Sequence, residues 1–86
     1  MKLIILKSAM QGLRDMQPKL RQALQEKLTA VAADPFGLHP SAEPMQGAKD
    51  TFRMRQGGWR AVYEVDRQAG EVRVLRVSPR GGVYKG

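Results

Sequence analysis

Apolar and polar positions change period along this chain, and each change marks an element. The Leu and Ile run between Lys2 and Lys7 predicts a first strand, with Ser8 placed to cap a following helix. Met10, Leu13 and Met16 then recur at three-residue steps, and Pro18 interrupts them at a position suited to the first turn of a new helix. In that second helix Leu20, Ala23, Leu24, Lys27, Leu28 and Val31 form one stripe, with Arg21, Gln22, Gln25 and Glu26 on the opposite side. Asp34-Pro35 stops it, because a residue before proline is pushed out of the helical region.

From Phe36 to Asp50 no period is visible, and Gly37 and Gly47 add breaks, so this segment predicts an unusually long loop. The pattern then turns to period two. Phe52 and Met54 alternate with Arg53 and Arg55, Gly57-Gly58 supplies a tight turn, and Trp59, Ala61, Tyr63 and Val65 alternate with Arg60, Val62 and Glu64. A second turn at Gln68 to Gly70 leads to Val72 to Val77, where Val74, Leu75 and Val77 put apolar groups on both faces and predict a strand covered on both sides. Ser78 to Gly86 reads as a tail rich in Gly. The order β, α, α, β, β, β gives one α+β domain over residues 1–86: an N-terminal strand, then a helical hairpin packed on one face of a mostly antiparallel four-stranded sheet. Two helices cover one side only, which leaves the other side for function.

Composition narrows what that side meets. The chain has 86 residues, a net charge of +7 and no cysteine, so disulfides and thiolate metal sites are excluded and a reducing, cytoplasmic compartment is expected. The apolar run Leu3 to Leu6 is too short for a signal sequence or a membrane span, and no membrane partner is expected. Residues 1–50 carry seven Lys/Arg against five acids, and residues 51–86 carry eight against three. Seven of those eight are Arg, whose planar fork grips phosphate or carboxylate oxygens in pairs and stays charged at any relevant pH.

Arg53, Arg55 and Arg60 form the first constellation, brought together by hairpin geometry. Like charges held this close repel unless an anion offsets them. The bland alternative is that Glu64 and Asp66 pair with them as surface salt bridges, each worth about 0–1 kcal/mol. Arg76 and Arg80 with Tyr84 form the second, where Gly81 and Gly82 allow the tail to bend back. Tyr84 would stack on a base, bind a phosphate, move a proton, or plug the edge of the core. His39 is the only histidine and has no acid partner in sequence, so it reads as structural, and a two-histidine acid/base pair is excluded. Trp59, Phe52, Met10, Met16 and Met54 read as core. No metal or cofactor site is expected.

Taken together, LTAVAADPFG, MQGAKDTFRMRQGGWRAVYEVD and VLRVSPRGGVY resemble the RelE/ParE superfamily of bacterial type II toxin–antitoxin toxins over nearly the whole chain. The resemblance implies a RelE-like fold and, in the best-known branch, a ribosome-dependent, metal-independent endoribonuclease that cuts messenger RNA. By position it implies catalytic roles for Arg53, Arg60, Arg80 and Tyr84. Further RNA contacts would be Arg55, Arg76, Lys49 and Lys85. Pro79 stands where many relatives carry histidine or lysine, and Thr51 where the ribonuclease branch can place a lysine. The other branch implied is a DNA gyrase inhibitor that is not an enzyme, and a third reading is a binding module of the same fold without toxicity. The expected partner is an acidic antitoxin, in a toxin–antitoxin hetero-oligomer, beside messenger RNA and the ribosome.

Overall fold

A computed structural model of the chain describes residues 1–79. The elements run β1 (Lys2–Ile5), α1 (Lys7–Asp15), α2 (Pro18–Ala33), β2 (Ala42–Pro44), β3 (Thr51–Gln56), β4 (Trp59–Asp66) and β5 (Glu71–Pro79). They form one sheet in the order β1-β5-β4-β3-β2, in which β1 runs parallel to β5 and the other neighbours are antiparallel. The expected α+β class holds, with five strands among the described residues instead of four. The added strand, β2, lies inside the segment that the sequence marks as loop. Three residues ending in proline are too few to display a period, and the strand exists because Ala42, Glu43 and Pro44 face Met54, Arg53 and Phe52 on the exposed edge of β3.

Both helices pack on one face. Ala9 and Leu13 of α1, Met16, and Leu24, Leu28, Val31 and Ala32 of α2 meet Met54, Ala61, Tyr63, Val65, Val72, Val74 and Val77 of the sheet. This is the stripe read from the second helix, completed by period-two positions of three strands. Each buried Val or Leu contributes about 1.5–3 kcal/mol through removal of apolar surface from water. Pro18 opens α2 as expected, where its missing N–H costs nothing, and Asp34 closes it with φ −150°. Met10, expected in the core, is 44% exposed, because α1 presents Ala9, Gly12 and Leu13 to the sheet instead.

Gly12 sets how closely α1 approaches β5. A Cβ built there would lie 1.8 Å from the Val77 carbonyl oxygen, so only a residue without a side chain permits this contact. Ser8 does not cap α1, which starts two residues before such a cap would place it, with Leu6 at its N-cap and no side-chain cap. Its Oγ instead donates to the Leu75 carbonyl at 2.6 Å. That carbonyl belongs to a bulge: the register passes from Val62 opposite Arg76 to Tyr63 opposite Val74, leaving Leu75 as the extra residue. The bulge also explains why β5 looked apolar on both faces. Leu75 breaks the alternation, while Arg76, on the side away from the helices, is exposed. The strand continues through Ser78 and Pro79, which the sequence placed in the tail. Pro79 is acceptable at this end because β1 pairs with β5 only as far as Val74.

Candidate nucleic-acid interface

Residues directly opposite one another on neighbouring strands share a face, so the register assigns the uncovered side without ambiguity. One row across the sheet reads Glu43, Arg53, Val62, Arg76. The next reads Arg55, Arg60, Ser78. Strands lie about 4.8 Å apart and alternate residues about 6.6 Å apart along a strand, so four arginines start from a patch of backbone about 10 Å across. Arg53, Arg55, Arg60 and Arg76 are thus brought together on the face opposite the helices. Arg55 and Arg76 are exposed, and Arg53 and Arg60 are half-buried.

The opposite end of the same face carries the acids. Arg73 Nε lies 2.9 Å from Glu64, one terminal nitrogen 2.7 Å from Asp66 and the other 2.8 Å from Glu71. Hydrogen bonds from Arg73 to Asp66, then Glu64 and Glu71, hold its guanidinium charged to still higher pH. The Asp66 carboxyl is held below its ordinary pKa, first by the Ala69 backbone N–H and then by Arg73. Glu64 and Asp66 therefore serve Arg73, not the Arg53, Arg55 and Arg60 group that the sequence offered as their partners. Arg67 is also used locally, 3.4 Å from Asp50 and with its guanidinium carbon 4.2 Å from the centre of the Phe36 ring.

Among the described residues, one acid within reach of the arginine end is one that sequence reasoning missed. Glu43 on β2 places one carboxylate oxygen 3.7 Å from Arg53 and the other 3.5 Å from Arg55. No periodic signal flagged it. Arg73 was missed as well, although its i, i+2 spacing from Glu71 across a hairpin from Glu64 and Asp66 was a usable signal. Lys49 is exposed and lies in the turn before β3, beside Glu64, Asp66 and Arg67, at the far end of β4 from Arg60. Thr51 is buried and donates its hydroxyl to the Lys49 carbonyl at 3.0 Å. His39 has Nε2 2.7 Å from the Asp34 carbonyl and ties the loop to the end of α2. Phe52 stacks on Tyr63 with centroids 5.2 Å apart on the helix-facing side, and burial pushes the Tyr63 phenol up to about 12. Among the described residues no group of three His, Asp or Glu is arranged to hold a metal ion, and no helix is long and apolar enough to cross a membrane.

A family model described as the ParE toxin of the type II toxin–antitoxin system parDE matches residues 3–84. The chain belongs to this toxin family. No curated protein matches it. Among solved structures, the ParE-family toxin is similar to the intact RelBE toxin–antitoxin complex of E. coli, at 25% identity and TM-score 0.76 over 91% of this chain and 94% of that one. It is similar also to the archaeal RelE–RelB complex of Pyrococcus horikoshii OT3, at 20% identity and TM-score 0.78 over 93% and 94%. A YoeB/ParE toxin from Agrobacterium tumefaciens shares 18% identity and TM-score 0.76 over 92% and 98%. The toxin therefore has the RelE fold, as the sequence resemblance implied. Of the site residues implied by that resemblance, Arg80, Tyr84 and Lys85 lie outside the described residues. The described part of β5 ends at Pro79 opposite Trp59, next to the Ser78–Arg60 pair.

Proposed function

We propose that this ParE-family toxin is a ribosome-dependent endoribonuclease whose arginine face holds the backbone of messenger RNA. The observation that carries the reading is the division of one sheet face: three carboxylates are committed to Arg73 at one end, while Arg53, Arg55, Arg60 and Arg76 gather at the other. Four fixed cations in two adjacent rows suit a run of phosphates, and the charge survives at every physiological pH.

In this reading the 2′-hydroxyl oxygen attacks the adjacent phosphorus. The bond from phosphorus to the 5′-oxygen breaks, leaving a 2′,3′-cyclic phosphate and a free 5′-hydroxyl. Arg60 and Arg80 stabilise the extra negative charge of the pentacoordinate transition state, and Arg53 supports them. Tyr84 relays the proton: its phenolic oxygen accepts the proton of the attacking hydroxyl as its own proton passes to the leaving oxygen, so the proton count balances. Arg55 and Arg76 bind neighbouring backbone. Lys49, by its place at the acidic end of the sheet, serves only a longer stretch of RNA. An acidic antitoxin would cover the same arginines, in keeping with the complexes formed by the E. coli and P. horikoshii relatives, and the ribosome places the activity in the cytoplasm.

The ParE family match favours a second reading, in which the toxin inhibits DNA gyrase through protein contacts and has no catalytic step. Expression in a bacterium separates the two. Primer extension on messenger RNA is expected to show cuts at fixed codon positions, lost in Arg80→Ala and Tyr84→Ala variants. Intact transcripts with an induced DNA-damage response would establish the gyrase reading instead, and neither effect would leave an inert binding module.

A further inference from the structure

Among the described residues, the Glu43 carboxylate reaches into the arginine end of the sheet face. Glu43 sits on β2, the edge strand, whose backbone is fixed by pairing along β3 and by the Arg55 N–H donating to the Ser41 carbonyl at 3.1 Å. Lys27 of α2 clamps the same segment, donating to Ser41 Oγ at 2.9 Å and to the Arg55 carbonyl at 3.2 Å. This framework holds the Glu43 carboxylate directly across from Arg53, with its two oxygens divided between Arg53 and Arg55. A carboxylate has the charge sign and bidentate geometry that a phosphate presents to arginine.

The division is loose. Both distances exceed 3.4 Å, and the side chains of Glu43, Arg53 and Arg55 are 50%, 39% and 66% exposed, so water screens the pairs. Contrast Arg73, whose contacts are all shorter than 3 Å and whose side chain is 26% exposed. The tight cluster is built to stay, and the loose one is built to exchange.

We propose that Glu43 is an internal counter-ion that occupies Arg53 and Arg55 until a phosphate displaces it, and so sets the affinity threshold of the arginine face. The inference rests on the phosphate-binding reading given above for that face. Glu43 relieves repulsion among the arginines in the unbound toxin and must swing away when a backbone phosphate arrives. The energy of a screened pair fixes the size of the effect, on the order of a two- to five-fold weakening of anion binding.

The test uses inorganic pyrophosphate as the probe, followed through the guanidinium Nε–H resonances of Arg53 and Arg55 by NMR. Glu43→Gln is expected to bind it about two- to five-fold more tightly than wild type. Glu26→Gln, the same charge change on the exposed side of α2, is expected to stay close to wild type. In the Glu43→Gln, Arg55→Ala double variant most of the gain is expected to vanish. Equal affinity in Glu43→Gln and wild type overturns the proposal. A loss of affinity overturns it too, because Glu43 would then be orienting the arginines, and an equal gain in Glu26→Gln would reduce the effect to net charge. A parallel titration with a single-stranded RNA dodecamer keeps the two readings apart. If Arg60→Ala leaves RNA binding unchanged, the RNA reading fails while the pyrophosphate result still decides the role of Glu43.

Discussion

At the scale of single residues, two side-chain positions in the core carry sharp expectations. Tyr63 is 1% exposed, and burial raises its phenol from the ordinary 10.0 to about 12. Below pH 10 the phenol is neutral in both the folded and unfolded states and adds no pH dependence. Between pH 10 and 12 the unfolded chain ionises first, so stability falls as pH rises, by about 2–3 kcal/mol once both states are ionised. Denaturant melts of wild type and Tyr63→Phe over this range should diverge by that amount, and parallel curves would refute the assignment. Gly12 tests packing against propensity. Alanine is favoured over glycine inside a helix by about 1 kcal/mol, yet its Cβ would press on the Val77 carbonyl. Gly12→Ala is therefore expected to lower stability by about 1–3 kcal/mol. A rise in melting temperature would show that α1 can lift away at no cost.

At the scale of elements, the strand pair β4–β5 holds itself in register with the Arg73 cluster. Removing the one cation in Arg73→Ala leaves Glu64, Asp66 and Glu71 facing each other. The variant is expected to be less stable than wild type at pH 7. In wild type the depressed Asp66 carboxyl gives stability that is full above the ordinary carboxylate range and is lost as pH falls through its lower folded value. A thermal-unfolding series from pH 7 to pH 3 on wild type is expected to show that loss, and a melting temperature that rises on acidification would refute it. Elements with a full period were legible in the sequence: the α2 stripe, the Gly57-Gly58 hairpin and the Asp34-Pro35 stop all stand where the pattern put them. Those that depend on distant chain were not. The edge strand β2 is too short to show a period, Ser8 serves a bulge 67 residues away instead of its own helix, and Leu75 looked like a second apolar face because one extra residue shifts the alternation. The arginines of the candidate site were found because hairpin spacing alone brings them together. Glu43 was not, because its position depends on pairing that only the fold creates.

At the scale of the whole molecule, the helices spend one side of the sheet on the core and leave the other to charge. Excess positive charge in the second half of the sequence becomes a gradient along one face, neutralised around Arg73 and concentrated around Arg60. Such a face is expected to bind RNA with a strong salt dependence, since each phosphate neutralised releases counter-ions. The most direct measurement is the affinity of a single-stranded RNA dodecamer as a function of salt, for wild type and for Arg60→Ala. With up to four arginines on phosphates, the slope of log affinity against log salt is expected to be about −2 to −3, and to become shallower by about 0.7 in the variant. An identical slope for both proteins, or binding that ignores salt, would contradict the claim that the arginine end of the sheet is where the toxin holds RNA.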